Sequence, residues 1–574
     1  METKLPKRLP YGNSNFESVR TESYVYVDKS RFIELLENEG NKNLFFTRPR
    51  KFGKSLFFSM LSHYYDVNQA DKFELLFGDL YIGQHPTPKH NTYLVLNLDF
   101  SGLDTSSEES FKDSLSRKVQ DIVRSFLFRY KDIFPEKDFY RQIDVEQPGI
   151  ASLRKAFNAA EAAGKKIFII IDEYDHFAND LIAQGTHTGD NTYRHLVRSN
   201  GVIRDFYETL KEGSKTVVDC IILTGITPIM LDDITSGFNI SNNLSLNPRY
   251  NEMLGFTQEE VNTLMEEVGV EPSMISVDME LFYNGYRFHR SGEHKVYNPS
   301  MMLYLFDQVL QFRDEMENVI DENLKTDYGR LRRLIQDDRN CEQIIKIAQE
   351  NSIFSEVIPK FSIDKMHDNE YFVSLLFYLG LLTIDRYESG KTYLKIPNYS
   401  IRTIYWDYIL QLTKDRHKDV VTDLSLQQEA ISALAYRGDP KLYLDYISQN
   451  ILCRLSNRDL QNFSEKYIKI ILLNGLFQSK IYITITELEV SQGYVDVYMQ
   501  RSHFLPDIPY EWVWEIKYVK REDANSEKAL KEKRDEARAQ LEKYRTSPSF
   551  VGRTDVRYLS LIFIGKDRYE VEEV

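Results

Sequence analysis

Residues 44–58 run Leu-Phe-Phe-Thr-Arg-Pro-Arg-Lys-Phe-Gly-Lys-Ser-Leu-Phe-Phe. An apolar run ends, a short loop follows, and Gly53-Lys54-Ser55 opens a second apolar run. Strand, loop and helix N-terminus in that order make a phosphate cradle. Backbone N–H groups of Arg50, Lys51, Phe52 and Gly53 would turn inward around phosphate oxygens. Lys54 would reach the terminal phosphates, and the Ser55 hydroxyl would ligate Mg2+. One position breaks the pattern, because Arg48 stands at the first glycine of GxxxxGK[ST]. On the loop alone, a strand followed by an ordinary surface turn is the competing reading.

A second chemical cluster follows the run Lys165-Lys166-Ile167-Phe168-Ile169-Ile170-Ile171, which ends in Asp172-Glu173. In ATPases built on such a loop, an acid at the strand's carboxyl end helps hold Mg2+, the place expected for Asp172. A following acid, here Glu173, activates the attacking water. The competing reading is a strand ending in a polar turn. Cys220–Gly225 is a further strand-like run, and its Thr224 is placed to sense a terminal phosphate or position water. A turn or helix-capping threonine explains Thr224 equally well.

The third cluster lies near the C-terminus. Gly493–Met499 alternates like a strand, and Tyr510–Lys517 follows after a short gap. Glu515 and Lys517 are two apart on a strand, so they share a face, and pairing of the two runs would bring in Asp496. Asp496 and Glu515 are the expected ligands of a divalent metal that polarises a scissile phosphate. Lys517 would stabilise developing negative charge. Oxygen ligands favour Mg2+, with Mn2+ as the alternative. Glu489 is a candidate further ligand or base, and Gln540 and Tyr544 share one face of the next helix. As a bare string the pattern is weak; a hairpin with exposed alternating charges also fits it.

The elements that must hold these clusters are legible. Asn43–Thr47, Tyr93–Asp99, Lys166–Asp172 and Val217–Thr224 are short β-branched or apolar runs. Helix-like stretches, Ser107–Tyr130 and Asn191–Gly213 among them, separate them. Alternation of this kind predicts a parallel sheet with flanking helices over residues 1–285. Residues 286–463 read as mainly helical, with one strand pair at Leu382–Asp385 and Thr392–Lys395. Residues 464–574 read as helix, three strands, charged helix (Ser526–Tyr544), strand (Val556–Ile564), the order of a restriction-endonuclease-like α/β core. The expected fold class is thus α/β and multidomain.

Composition sets outer bounds. A chain of 574 residues with 37 Tyr and 34 Phe is long enough for about three or four cores. Cys220, Cys341 and Cys453 are far apart and lack metal-type spacing, which predicts buried small hydrophobes in a reducing compartment. The N-terminus has no apolar signal core, and no stretch approaches ~18 apolar residues. The expectation is a cytoplasmic protein with no membrane contact. The net charge of −15 does not advertise nucleic-acid binding, although a local basic groove is compatible with it.

Several segments together resemble a known family. They include Phe16-Glu17-Ser18-Val19-Arg20, Tyr26-Val27-Asp28-Lys29-Ser30, Arg48–Ser55, Ile171–Asp175, Thr224-Gly225-Ile226-Thr227-Pro228 and Gly255-Phe256-Thr257. Tyr283-Asn284-Gly285-Tyr286 and Tyr297-Asn298-Pro299 continue the match. The chain resembles the bacterial AAA-ATPase-like family, whose members carry a C-terminal PD-(D/E)xK nuclease-like domain. That family commonly has Arg-Pro-Arg before its Phe-Gly-Lys-Ser, so Arg48 is in keeping with it. The resemblance implies ATP as ligand, a nuclease-type domain acting on nucleic acid (DNA favoured), and by analogy a role in mobile-element or defence biology. A homo-oligomer is compatible with it, Arg249 is a minor candidate to act on a neighbouring subunit, and Asp28 and Lys29, which recur in that family, fit a nucleotide border and a salt-bridged structural role equally well. The alternative is a nucleotide-operated switch or scaffold whose inactive nuclease fold binds a partner.

Overall fold

The computed structural model describes residues 6–142, 148–184, 195–197, 201–229, 241–312, 320–322, 338–350, 352–360, 365, 368–416, 423–454, 465–479, 481–491, 493–502, 505–565 and 568–574. They form two compact units, one of Met1–Gln343 with Ser352–Ser400, the other of Ile344–Asn351 with Ile401–Val574. The helical stretch that begins near residue 286 is therefore divided between them.

In the first unit, β1 (Asn43–Thr47), β2 (Leu94–Asp99), β3 (Ile167–Asp172), β4 (Val218–Gly225) and β5 (Asn242–Asn243) form one sheet in the order β2-β3-β4-β1-β5. Every pairing is parallel. Parallel strands need crossovers, and helices Lys54–Tyr65, Glu108–Arg129, Gly149–Ala162 and Val202–Gly213 are spread between them. β1 and β3 are buried almost throughout, as strands covered on both faces must be. Because all strands point one way, Thr47, Asp99, Asp172 and Gly225 gather at one edge, where open α/β sheets take ligands. A small sheet of β6 (Ile353–Phe354), β7 (Thr383–Glu388) and β8 (Lys391–Lys395) lies in the same unit, in the order β6-β8-β7.

The second unit holds β9 (Tyr482–Val490), β10 (Gly493–Arg501), β11 (Glu511–Val519), β12 (Val556–Ile564) and β13 (Arg568–Glu573). β9, β10 and β11 pair antiparallel, β11 and β12 parallel, and β12 and β13 antiparallel. The parallel step requires a crossover, and helix Glu527–Arg545 supplies it, burying Leu530, Ala537, Leu541 and Tyr544. Helix Glu465–Ser479 precedes β9. Cys341 is buried, Cys220 half-buried and Cys453 exposed, so burial was expected for more cysteines than show it. Among the described residues no helix is long and apolar enough to cross a membrane. Of the expected helix Asn191–Gly213, residues 191–194 and 198–200 lie outside the described residues.

Candidate functional site

Arg48 explains how the phosphate loop tolerates the loss of its first glycine. Its side chain turns away from the ligand edge and is 1% exposed. The guanidinium lies between the rings of Phe46 (4.3 Å) and Phe288 (3.9 Å). Nη1 donates to the carbonyls of Thr47 (3.0 Å) and Ser245 (2.9 Å), and Nη2 to that of Tyr250 (2.7 Å). Burial pulls its pKa down to about 9. Arg48 thus anchors the loop to the core and leaves the cradle itself unobstructed.

Gly53 has φ +88°, and a side chain there would be strained in any surroundings. Helix Lys54–Tyr65 starts immediately after, so its positive N-terminal end faces the loop. Lys54 Nζ donates to the carbonyls of Arg48 (2.9 Å) and Pro49 (2.8 Å). Burial lowers the Lys54 pKa to about 8, with Asp172 opposing the shift. Ser55 Oγ donates to Asp172 Oδ2 at 2.9 Å, joining residues 117 apart in the chain. Burial raises the Asp172 pKa, while Ser55 and Lys54 act against it.

A cavity of about 440 Å³ opens at this edge. Arg50, Lys51, Phe52, Gly53, Lys54 and Ser55 form its loop wall, with Asp172, Glu173 and His176 beside them. Val25, Val27, Leu254, Phe256 and Leu303 make an apolar wall. Thr224 is not on the surface of the cavity; Gly225 and Ile226 are, and Thr224 Oγ1 is buried without a partner. Gly225 must be small, since a Cβ would stand 2.2 Å from Asp175 Oδ1. The buried Asp175 carboxylate accepts from Ile226 N (3.2 Å), Thr227 N (2.7 Å) and Thr227 Oγ1 (2.7 Å), tying the ends of β3 and β4 together.

Glu173 has φ +50°, a left-handed conformation that costs a non-glycine residue about 1 kcal/mol. Its carboxylate lies 3.1 Å from His176 Nδ1, while His176 Nε2 is 3.2 Å from Asp180. Both ring nitrogens face carboxylates, so both donate and the ring is cationic. Asp180 and then Glu173 raise the His176 pKa to about 9, and His176 in turn lowers that of Glu173. The His176 clamp was not read from the sequence, although His176 stands three residues after Glu173 and four before Asp180, spacings that meet on a helix.

Other expected neighbours have structural partners. Lys29 lines the cavity but gives its ammonium to Glu260 (2.7 Å) and the Glu252 carbonyl (3.0 Å). Asp28 caps the N–H groups of Ser30 and Tyr81, both at 2.8 Å. Arg249 pairs with Glu39 of its own chain. Lys51, at φ +62°, pairs with Asp321 (3.0 Å).

The second site lies on the sheet of the C-terminal unit. β10 pairs β11 at Val497↔Trp514, so one step further Asp496 stands opposite Glu515. The ladder stops there, and Asp496 Oδ2 takes the Ile516 N–H at 2.8 Å. β9 pairs β10 at Leu488↔Val495 and Thr486↔Val497, so Glu487 stands on the other side of Asp496. Glu487, Asp496 and Glu515 form a row across three strands, with Lys517 on the same face. Glu489, the residue expected to assist, pairs instead with Tyr494, and its side chain lies outside the described residues. Glu487 has φ +51°. Of six non-glycine residues with positive φ among the described residues, Lys51, Glu173 and Glu487 are at these two sites, where strained backbone concentrates.

Lysines and a tyrosine close the row. Lys469, on helix Glu465–Ser479, lies 2.6 Å from Asp496 Oδ1. Lys517 Nζ donates to Glu515 Oε1 at 2.7 Å. Tyr544 Oη donates to the Tyr494 carbonyl (2.6 Å) and lies 3.1 Å from Glu515 Oε2. Burial, then the Asp496 charge, raise the Glu515 pKa. Burial pulls Lys517 down, but Glu515 outweighs it and the net shift is upward. Gln540 Oε1 is buried and has no hydrogen-bond partner. Among the described residues no three His, Cys, Asp or Glu side chains converge closely enough to hold a metal. The donor chemistry still fits Mg2+ or Mn2+, which take one or two carboxylates and fill the remaining positions with water.

Family models match around each of the two sites. The model of a predicted AAA-ATPase family (AAA-ATPase-like) matches residues 10–235. That of the PD-(D/E)XK nuclease superfamily matches residues 463–573. The chain therefore joins an AAA-ATPase-like domain to a PD-(D/E)XK nuclease-superfamily domain. It is 26% identical over 317 residues to an uncharacterized protein in the vnfD 5' region of Azotobacter chroococcum mcd 1, a match covering 54% of this chain and 53% of that protein. The chain thus matches about half the length of this curated relative. Among solved structures it is similar to a Walker-type ATPase of Pyrococcus abyssi, with 14% identity, TM-score 0.37, and coverage of 67% of this chain and 97% of the other. A second is the ORC2 protein of Aeropyrum pernix, with 9% identity, TM-score 0.23, and coverage of 71% and 97%.

Proposed function

We propose that the protein binds and hydrolyses ATP in its N-terminal domain and cleaves nucleic acid, DNA above all, in its C-terminal domain. The Ser55–Asp172 contact carries the nucleotide half, because it unites the hydroxyl and carboxylate that hold Mg2+ beside a nucleotide. Lys54 leaves the Arg48 and Pro49 carbonyls for phosphate oxygens, which offer it charge-assisted bonds. The N–H groups of residues 50–55 surround the phosphates, and the apolar wall of the cavity suits the base. Glu173 accepts the proton of the attacking water once His176 releases it.

In the C-terminal domain Asp496 and Glu515 hold the divalent ion, and Lys517 stands where charge develops on the cleaved phosphate. Tyr544 fixes the Glu515 side chain. When bound, the metal supplies the charge that polarises phosphate and acidifies water. The test is cleavage of linear and plasmid DNA, and of RNA, by purified protein with Mg2+ or Mn2+, with and without ATP. Cleavage that disappears in Asp496→Ala supports the reading. No cleavage under any of these conditions defeats the nuclease half. The second reading, a nucleotide-operated switch whose C-terminal fold binds a partner without cutting, would then stand. It draws support from the lysines that already neutralise Asp496 and Glu515.

A further inference from the structure

Lys469 was not singled out by sequence, and neither the nucleotide site nor the proposed cleavage chemistry uses it. Its ammonium lies 2.6 Å from Asp496 Oδ1, 3.6 Å from Glu487 Oε1 and 3.7 Å from Glu465 Oε1. The side chains of Lys469 and Asp496 are 15% and 10% exposed, so water screens their contact weakly. The other oxygen of Asp496 is already taken by the Ile516 N–H. Lys469 thus sits where a hard cation would approach Asp496. An ammonium and a divalent ion on the same oxygen would be only about 4 Å apart, where like charges repel strongly. The ammonium has somewhere else to go: Glu487 and Glu465 are within reach, and pairing with them avoids leaving a buried charge alone.

We propose that Lys469 is a built-in competitor for the divalent ion at Asp496, and that metal binding moves its ammonium from Asp496 to Glu487 and Glu465. The inference rests on the reading of Asp496 as a metal ligand. Its effect would be a threshold. The nuclease-type site stays closed by its own lysine until free metal is high enough to displace it, or until another event pulls helix Glu465–Ser479 away.

The test is calorimetric titration of the nucleotide-free, full-length protein with MnCl2. Asp496→Ala identifies the heat that belongs to this site. Lys469→Met, which keeps length but not charge, is expected to bind Mn2+ at least about tenfold more tightly than wild type, as removal of a competing cation requires. Lys469→Gln, which can still donate to Asp496, is expected to change in the same direction and replaces Lys469→Met if that variant melts early. Lys469→Arg keeps the charge and is expected to stay near wild type. Equal or weaker Mn2+ binding by the folded Met and Gln variants overturns the inference and leaves the metal reading intact. Absence of any heat assignable to Asp496, in every variant, overturns both.

Discussion

Lys54 and Asp496 are both buried charged side chains at candidate sites, and their surroundings differ in kind. Lys54 donates to two neutral carbonyl oxygens and to no carboxylate, and burial depresses its pKa although the nearby Asp172 charge opposes the shift. Asp496 is held by an ammonium and a backbone N–H, and its neighbour Glu515 by a second ammonium. To receive an anion, the first site has only to release two hydrogen bonds from the Lys54 ammonium to neutral oxygens. The second must break ion pairs of its own before a cation enters. Binding at the phosphate loop should therefore be ready in the free protein, whereas the C-terminal site should respond steeply to metal concentration.

The largest effects should come from the groups that act on developing charge. Glu173→Gln should retain ATP yet lower turnover by about 10²–10⁴, the usual contribution of a general base, as read by phosphate release. Unchanged turnover would remove Glu173 from the chemistry. Lys517→Ala should lower DNA cleavage by about 10²–10³, the scale for losing one stabilising donor. If cleavage persisted at the wild-type rate, the C-terminal row would not be the cutting site.

Arg48 sharpens the contrast from another side. Arg48→Gly restores the familiar loop pattern in the sequence but deletes a buried side chain that bonds three carbonyls and lies between two rings. It should cost about 2–4 kcal/mol of stability, measured by urea unfolding, without tightening ATP binding. Tighter binding with unchanged stability would show that Arg48 obstructs the cradle.

The smallest effect concerns the His176 clamp. Its folded pKa, about 9, lies above the ordinary value near 6.5. A raised histidine pKa gives stability that is fully present below about 6.5 and is lost as pH rises through about 9. The melting-temperature gap between wild type and His176→Gln should be widest near pH 6 and close above pH 9. A gap that does not change with pH would mean that the ring is held as a neutral group.

Much of this was legible in the chain, and the gaps have physical causes. β1 and β3 are readable because buried strands are mostly apolar runs bounded by turns, and β11 because its aromatic and β-branched residues outweigh the charges of Glu511, Glu515 and Lys517. β5 and β6 have two residues each and no period to detect, and β13 reads Arg-Tyr-Glu-Val-Glu-Glu, a charged edge that resembles a tail. The positions of Asp172, at the end of β3, and of Glu515 and Lys517, two apart on β11, are legible because strand geometry sets them, whereas Glu173 lies beyond β3 in a left-handed conformation that no strand pattern announces. Glu487 and Glu489 are two residues apart, and only the β9–β10 register, which no local pattern reveals, sets Glu487 opposite Asp496. Lys469 gave no sequence signal at all, because its contact with Asp496 spans 27 residues and depends on how a helix lies against a sheet. Arg48 looked like a defect because an arginine's destination, core or ligand, is set by tertiary packing.

The most direct check of the account is calorimetric titration of the free protein with ATP at fixed Mg2+, wild type against Lys54→Ala. Wild type is expected to bind one ATP per chain, and Lys54→Ala to bind it at least about tenfold more weakly, roughly the 1.4 kcal/mol that one charge-assisted contact readily supplies. Equal affinity in the two proteins would contradict it, since the buried Lys54 ammonium would then play no part in receiving phosphate.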